Sequence, residues 1–280
     1  MKVELTKENY KTNHDYLSYS RFSKYLTCEA AAAANYYPPS SVAQLVGSYV
    51  DAYFSHELED FKQEHPEIFN SKTGALKADF VGAENIIERI NSDEEFKRML
   101  SGEAQVIMTG EIDGVPFKIK MDSYKEDEFI VDLKVMKDFK PVWSDAYRSY
   151  QNFMLAYNYD IEMAIFQEIV YQNTGKKLPT YIAAITKENP ADIGIFEIPQ
   201  MDLDKALKTV KNNLPRIKQI MNGEIAPHRC EVCEYCKMTK KARILNWEYV
   251  GFTGDKLREE GIECDDPILI KKEDNENGKD

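Results

Sequence analysis

The chain has 280 residues, 48 acidic and 36 basic side chains, and a formal net charge of −12. At 43 % hydrophobic residues it can build a sizeable core, which excludes wholesale disorder. No run of 18 apolar residues occurs, so no membrane-spanning helix is expected, and the acidic balance argues against a protein that coats nucleic acid through bulk charge.

The first segment, MKVELTKENYKTNHDY, is polar throughout and holds no secretory apolar stretch. A cytoplasmic protein with reduced cysteines follows as the expectation, with residues 1–16 as a flexible lead-in. Ser18 or Ser20 can cap a first helix through FSKYLTCEAAAAANYY to Pro38. Ser40 or Ser41 can cap a second, whose Val42, Leu45, Val46, Tyr49 and Tyr53 repeat at helical spacing. Residues 56–104 are charged and predict two helices, around 58–64 and 80–100, interrupted at Gly74. The pattern then changes to period two in TGEIDGVPFKIKMDSYKEDEFIVDLKVM, which predicts three antiparallel strands over 106–112, 115–123 and 129–136. Asp113 and Gly114 suit a type I′ hairpin turn, and residues 125–128 form the second turn. A long helix is expected from Ser144 or Ser149 to Thr174, closed by Gly175. Buried strands follow at 180–186 and 193–199, then a helix closed by Gly223. The polar segment 251–280 reads as a charged, partly disordered tail.

Alternation along the predicted strands sets Asp122, Asp132 and Lys134 on one face, opposite Phe117, Ile119, Val131 and Leu133. A four-residue turn brings Asp122 and Asp132 together across the strands. Adjacent carboxylates repel unless a cation lies between them, and a hard divalent ion such as Mg²⁺ takes oxygen ligands. A lysine two residues along can orient a bound water, a set of parts suited to phosphodiester hydrolysis. The alternative is a solvated sheet face with an ordinary Asp–Lys pair. Asp51, among apolar neighbours in VGSYVDAYF, is a candidate further ligand, and Glu111 shares the polar face further along.

HRCEVCEYCKMTKK places Cys230, Cys233 and Cys236 at two consecutive C-x₂-C spacings. Such a loop converges thiolates on one metal centre, with Cys28, Cys264 or His228 as the fourth ligand. Zinc and a 4Fe–4S cluster are both possible, and the compact triple with one remote cysteine leans towards iron–sulfur. With Cys28 as ligand, the site staples the C-terminal segment to the first helix.

Gly47-x₃-Asp51, GEIDGVPFKIKMDSY, VDLKVMKDF and the cysteine triple together resemble the PD-(D/E)xK nuclease superfamily, and within it the phage RecE-type and prophage exonucleases, over about residues 16–247. The remote Cys28 with the C-terminal triple is similar to the iron–sulfur nucleases among CRISPR-associated exonucleases and bacterial helicase–nucleases. The resemblance implies an α/β, restriction-endonuclease-like core over 17–250. A central mixed sheet carries the site on an antiparallel hairpin, helices flank it, and a cysteine staple completes it. It implies Asp122 and Asp132 as Mg²⁺ or Mn²⁺ ligands with the Leu133 carbonyl, Lys134 positioning the attacking water, and Asp51 as ligand of a second metal where relatives carry His. Relatives also carry a Q-x₃-Y motif on the next helix. Here Glu162 and Phe166 hold those places, while Gln167 and Tyr171 match literally but sit about 140° further round the helix. Gln167 and Tyr171 are then expected to face solvent.

The implied function is a metal-dependent exonuclease at duplex DNA ends, 5′→3′ by analogy, used in phage recombination or repair. It would work with a single-strand annealing protein and assemble as a homo-oligomer. The alternatives are an inactive DNA-binding or assembly module, motivated by Glu162 and Phe166, and a CRISPR-associated-type exonuclease for single strands. Lys118, Lys120, Lys134, Lys137 and Lys140, then Lys237, Lys240, Lys241 and Arg243, supply local basic groups that a net acidic chain needs to meet phosphate.

Overall fold

The computed structural model describes residues 5–144 and 148–264. In chain order the helices are α1 (Lys7–Tyr10), α2 (Tyr19–Thr27), α3 (Glu29–Ala33), α4 (Val42–Phe54), α5 (Leu58–Glu64), α6 (Ala78–Asn91) and α7 (Glu94–Met99). Strands β1 (Val106–Ile112), β2 (Val115–Met121), β3 (Ser123–Lys125), β4 (Phe129–Met136), β5 (Val142–Ser144) and β6 (Ser149–Gln151) follow. Then come α8 (Phe153–Ala156), α9 (Tyr159–Thr174), β7 (Thr180–Thr186), β8 (Ile193–Glu197), α10 (Gln200–Met221), α11 (Glu234–Thr239) and α12 (Gly254–Glu259).

The described residues fall into two compact units, those within 1–16 and 39–210, and those within 17–38 and 211–280. The chain passes from the first to the second within α10.

The first unit is a mixed α/β body. Its four-stranded sheet runs β3-β4-β7-β8, with β4 and β7 parallel and the other pairs antiparallel. β1 and β2 form a separate hairpin whose register places Glu111 opposite Pro116. Its turn sits at Asp113 and Gly114, both with positive φ, the conformation such a tight turn demands. Phe129, Val131 and Leu133 pack with Val46, Tyr49, Ile86, Ile87 and Phe96 from α4, α6 and α7. The alternate residues of β4 face α9, which is buried along most of its length. Ser41 caps α4 by accepting from the Gln44 N–H, completing a capping box.

Four sequence expectations are corrected. The helix predicted from Ser144 or Ser149 begins only at Tyr159, because Asn158 adopts a left-handed conformation and β5, β6 and α8 occupy the preceding residues. The first helix breaks at Cys28, whose extended backbone (φ −159°) separates α2 from α3. The helix predicted over 80–100 divides at Ser92 and Asp93 into α6 and α7, Asp93 capping the second. The strand predicted over 115–123 ends at Met121, and a new strand begins at Ser123 in a different sheet. Residues 5–16 carry the short helix α1, and the Lys118 ammonium donates to the Tyr10 and Asn13 carbonyls. Of the tail expected over 251–280, residues 265–280 lie outside the described residues.

In the second unit, α2, α3 and α11 surround a small core of Cys28, Ala30, Ala31 and Cys236. Arg216 grips Glu29 through a bidentate pair at 2.7 and 2.8 Å. Glu29 also accepts from the His228 N–H. No helix among the described residues is long and apolar enough to cross a membrane.

Candidate active site and cysteine centre

Asp122 is the single residue between β2 and β3, where the chain leaves one sheet and enters the next. The departure frees its side chain to cross to the neighbouring strand, where Oδ2 accepts from the Leu133 N–H at 2.9 Å. Its Oδ1 accepts from the side-chain amide of Gln105 at 3.2 Å. Gln105, buried and at positive φ, is a site neighbour that no sequence pattern announces. The N–H and C=O of one strand residue face the same side, so the Leu133 carbonyl also turns towards Asp122.

Asp132 and Lys134 project from β4 towards α9. The Lys134 ammonium lies 2.6 Å from Asp132 Oδ2 and 2.9 Å from Glu162 Oε2, on the first turn of α9. The Tyr159 ring centroid is 4.8 Å from the same nitrogen. Tyr159 is three residues before Glu162, so helical spacing alone identifies it as a companion on that face. Asp132 is 4 % exposed, which excludes the reading of a solvated sheet face.

Burial raises the Asp51 carboxyl to about 7, and the negative charge of Asp132 adds to this against Lys134 and Lys120. Burial likewise raises Glu162 to about 7, with Asp132 again second. Asp122 is pushed well above the carboxylate range by burial, then by Asp51 and Asp132. Burial alone would lower Lys134, but Asp132 and Glu162 outweigh it and hold the ammonium firmly charged. Four acids therefore share Lys134, and Lys120 acts on Asp51 as well. Asp132 Oδ2 and Glu162 Oε2 are buried without a hydrogen-bond partner among the described residues; Lys134 meets them at ion-pair distance, not in hydrogen-bond geometry. Crowded, incompletely satisfied oxygen donors with raised affinity for a positive charge fit a hard divalent cation.

Gln167 does not face solvent. It is buried and bonds the Leu178 carbonyl and the Gln200 side chain, a packing role between α9 and neighbouring segments. Tyr171 is exposed, and Phe166 is buried. Glu111 bonds α9 through its backbone, its N–H and C=O pairing with the Gln172 amide at 2.9 and 2.8 Å. Lys118 is also displaced from the list of phosphate-facing bases, since it is 4 % exposed and bound to the N-terminal carbonyls.

In the second unit the ligand atoms of Cys28, Cys230, Cys233 and Cys236 lie within 4.8 Å of one another. Cys28 Sγ and Cys236 Sγ are 3.5 Å apart, and Cys230 Sγ is 3.9 Å from Cys236 Sγ. Two backbone N–H groups point at sulfurs, Cys233 to Cys230 at 3.3 Å and Cys236 to Cys233 at 3.4 Å. Burial raises the Cys28 and Cys236 thiols. Burial acts the same way on Cys230, but N–H groups of Val232 and Cys233 outweigh it and hold that thiol low. Among the described residues this is the one group with such convergent donors. Cys264 stands apart, buried beside Arg258 and the Gly254 carbonyl.

A family profile described as a PDDEXK-like domain of unknown function (DUF3799) matches residues 18–239. The crystal structure of a Eubacterium rectale protein described as a "putative exonuclease" aligns with a TM-score of 0.84 and 42 % identity, over 89 % of this chain and 98 % of that one. A second solved structure, of SSO0001, aligns at 14 % identity and a TM-score of 0.29 over 81 % of this chain and 96 % of that one, too low to carry an argument. No curated protein matches the chain significantly. With a family profile covering most of its length and a 42 % identical relative of the same extent, the chain belongs to the PDDEXK-like family.

Proposed function

We propose that the protein is a divalent-metal-dependent nuclease that hydrolyses phosphodiester bonds of DNA from duplex ends. The observation that carries this reading is Lys134, half-buried between Asp132 and Glu162 near the pinned carboxylate of Asp122. Asp122, Asp132 and the Leu133 carbonyl would hold Mg²⁺ or Mn²⁺, and Asp51 and Glu162 supply further carboxylates to the same face. When bound, such an ion neutralises developing phosphate charge and lowers the pKa of a coordinated water. Lys134 holds its proton and directs it at the attacking oxygen, while Asp132 and Glu162 fix the direction of its ammonium. The Tyr159 ring, 4.8 Å from that ammonium, adds a favourable aromatic face to the two carboxylates. Action at ends follows the exonuclease description of the Eubacterium rectale relative. A 5′→3′ direction, a role in phage recombination, an annealing-protein partner and a homo-oligomer are further parts of the proposal that rest on the family resemblance.

The cysteine quartet is proposed as a structural metal centre. Four thiolates around one tetrahedral zinc at about 2.3 Å stand about 3.8 Å apart; here the Cys28–Cys236 and Cys230–Cys236 sulfurs are 3.5 and 3.9 Å apart and all four lie within 4.8 Å of one another. A 4Fe–4S cluster binds each cysteine to a different iron and requires a wider quartet. The spacing thus favours zinc over the iron–sulfur expectation, and the C-x₂-C-x₂-C triple keeps iron–sulfur as the second reading. Metal analysis of purified protein separates them, one zinc and no colour against iron, sulfide and visible absorbance.

The nuclease reading is tested on matched linear and covalently closed circular duplexes with Mg²⁺. Linear DNA consumed with circles intact is expected. Circles cut as fast as linear DNA would refute the end-directed part.

A further inference from the structure

We propose that residues 237–247 of the second unit form a contact strip for single-stranded nucleic acid. The strip rests on the nuclease reading, which expects phosphate at Lys237, Lys240, Lys241 and Arg243, and adds to it a base-stacking face and a preference for single strands. From residue 235 to residue 247 the sequence carries four basic side chains and no acid, in a chain with 48 acids in 280 residues. Residues 240–246 form neither helix nor strand, and run exposed between α11 and a 3₁₀ turn at Trp247–Tyr249.

The chemistry of the strip is mixed. Trp247 is 80 % exposed and Ile244 fully exposed, although both side chains gain most from burial. Two cations fix the segment: Lys240 pairs with Glu231 at 2.8 Å, and Arg243 donates to the Glu263 carbonyl. Lys237 and Lys241 are exposed and make no ion pair among the described residues. Exposed ammonium groups and an exposed indole on one segment match a strand that offers phosphates and unpaired base faces together. A duplex offers the phosphates but keeps its base faces stacked, so the indole distinguishes the two. A second copy of the chain is the competing occupant.

The test uses the full chain carrying Trp143→Phe, which leaves Trp247 as the sole indole of the two present. A dT oligonucleotide is titrated at low salt without added Mg²⁺ or Mn²⁺. Saturable quenching of Trp247 is expected, with little from a blunt duplex of equal length. Trp247→Ala, checked for an unchanged thermal melt, is expected to weaken binding of a labelled oligonucleotide about tenfold. Lys237→Ala with Lys241→Ala is expected to flatten the log–log salt slope by about 1.4, at about 0.7 per phosphate contact. Unchanged oligonucleotide affinity in both variants overturns the proposal. So does a wild-type oligomer that Trp247→Ala converts to monomer without changing oligonucleotide affinity. Digestion of linear duplex with Mg²⁺, run in parallel, separates the two readings. Intact digestion without strip binding sinks only the strip, and strip binding in a protein inert under all metals sinks only the nuclease.

Discussion

Lys134 keeps its charge in a half-buried position because two buried carboxylates hold it. Removing the ammonium leaves Asp132 and Glu162 buried and uncompensated, the costlier half of breaking such a pair. Lys134→Ala is therefore expected to reduce nuclease turnover by about 10²-fold or more while retaining metal binding, measured by steady-state kinetics and calorimetry. Glu162→Gln keeps the shape and loses one charge, so a smaller loss is expected. Asp51 and Glu162 also make a prediction about pH. Their ordinary values of 3.8 and 4.5 rise to about 7 in the fold, so between those limits the folded protein binds more protons than the unfolded chain. The stability these groups contribute is full below their unfolded values and is lost as pH rises through 7. Metal-free protein is thus expected to melt at progressively lower temperature from pH 5 to about 8, and Mg²⁺ or Mn²⁺ at pH 8 to restore the loss. A metal-free melting temperature that climbs over this range would contradict the assignment. Asp132 and Lys134 were legible as companions because period-two alternation sets residues two apart on one strand face, whereas the reach of Asp122 to Leu133 depends on a change of sheets that alternation does not announce. Gln105 was not legible, because it reaches Asp122 from an irregular segment with no periodicity.

At the scale of elements, the site depends on a strand that changes sheets at Asp122 and on a helix that begins at Asn158. Alternation located the strands, and the cap and spacing of Ser41 located α4, since both signals are local. The late start of α9 escaped the sequence, because residues 144–151 hold no glycine or proline to stop a helix there, and a left-handed Asn158 decides the start. Gln167 misled for a related reason: burial by neighbouring segments is a tertiary property. Lys118→Met removes the donor that ties down the Tyr10 and Asn13 carbonyls, so limited proteolysis is expected to cut residues 5–16 faster than in wild type. Gly254 has no room for a side chain, since a Cβ would fall against the Arg229 carbonyl oxygen. Gly254→Ala is expected to destabilise the protein by about 1–3 kcal/mol in chemical denaturation.

For the whole molecule, the cysteine centre joins residues 208 apart in sequence and closes the second unit around its small core. Cys28→Ser or Cys236→Ser is expected to release metal and expose that unit to protease while the first unit persists, as read by mass spectrometry of the fragments. The net charge of −12 no longer argues against a nucleic-acid substrate. It confines attraction to local basic groups, so DNA binding should weaken steeply with salt. The most direct test of the account is release of acid-soluble nucleotide from linear duplex DNA in Mg²⁺ or Mn²⁺ by wild type, Asp132→Asn and Lys134→Ala. Metal-dependent release by wild type, lost in both folded variants, is the predicted result. Equal release by all three, or none from any under either metal, would contradict it.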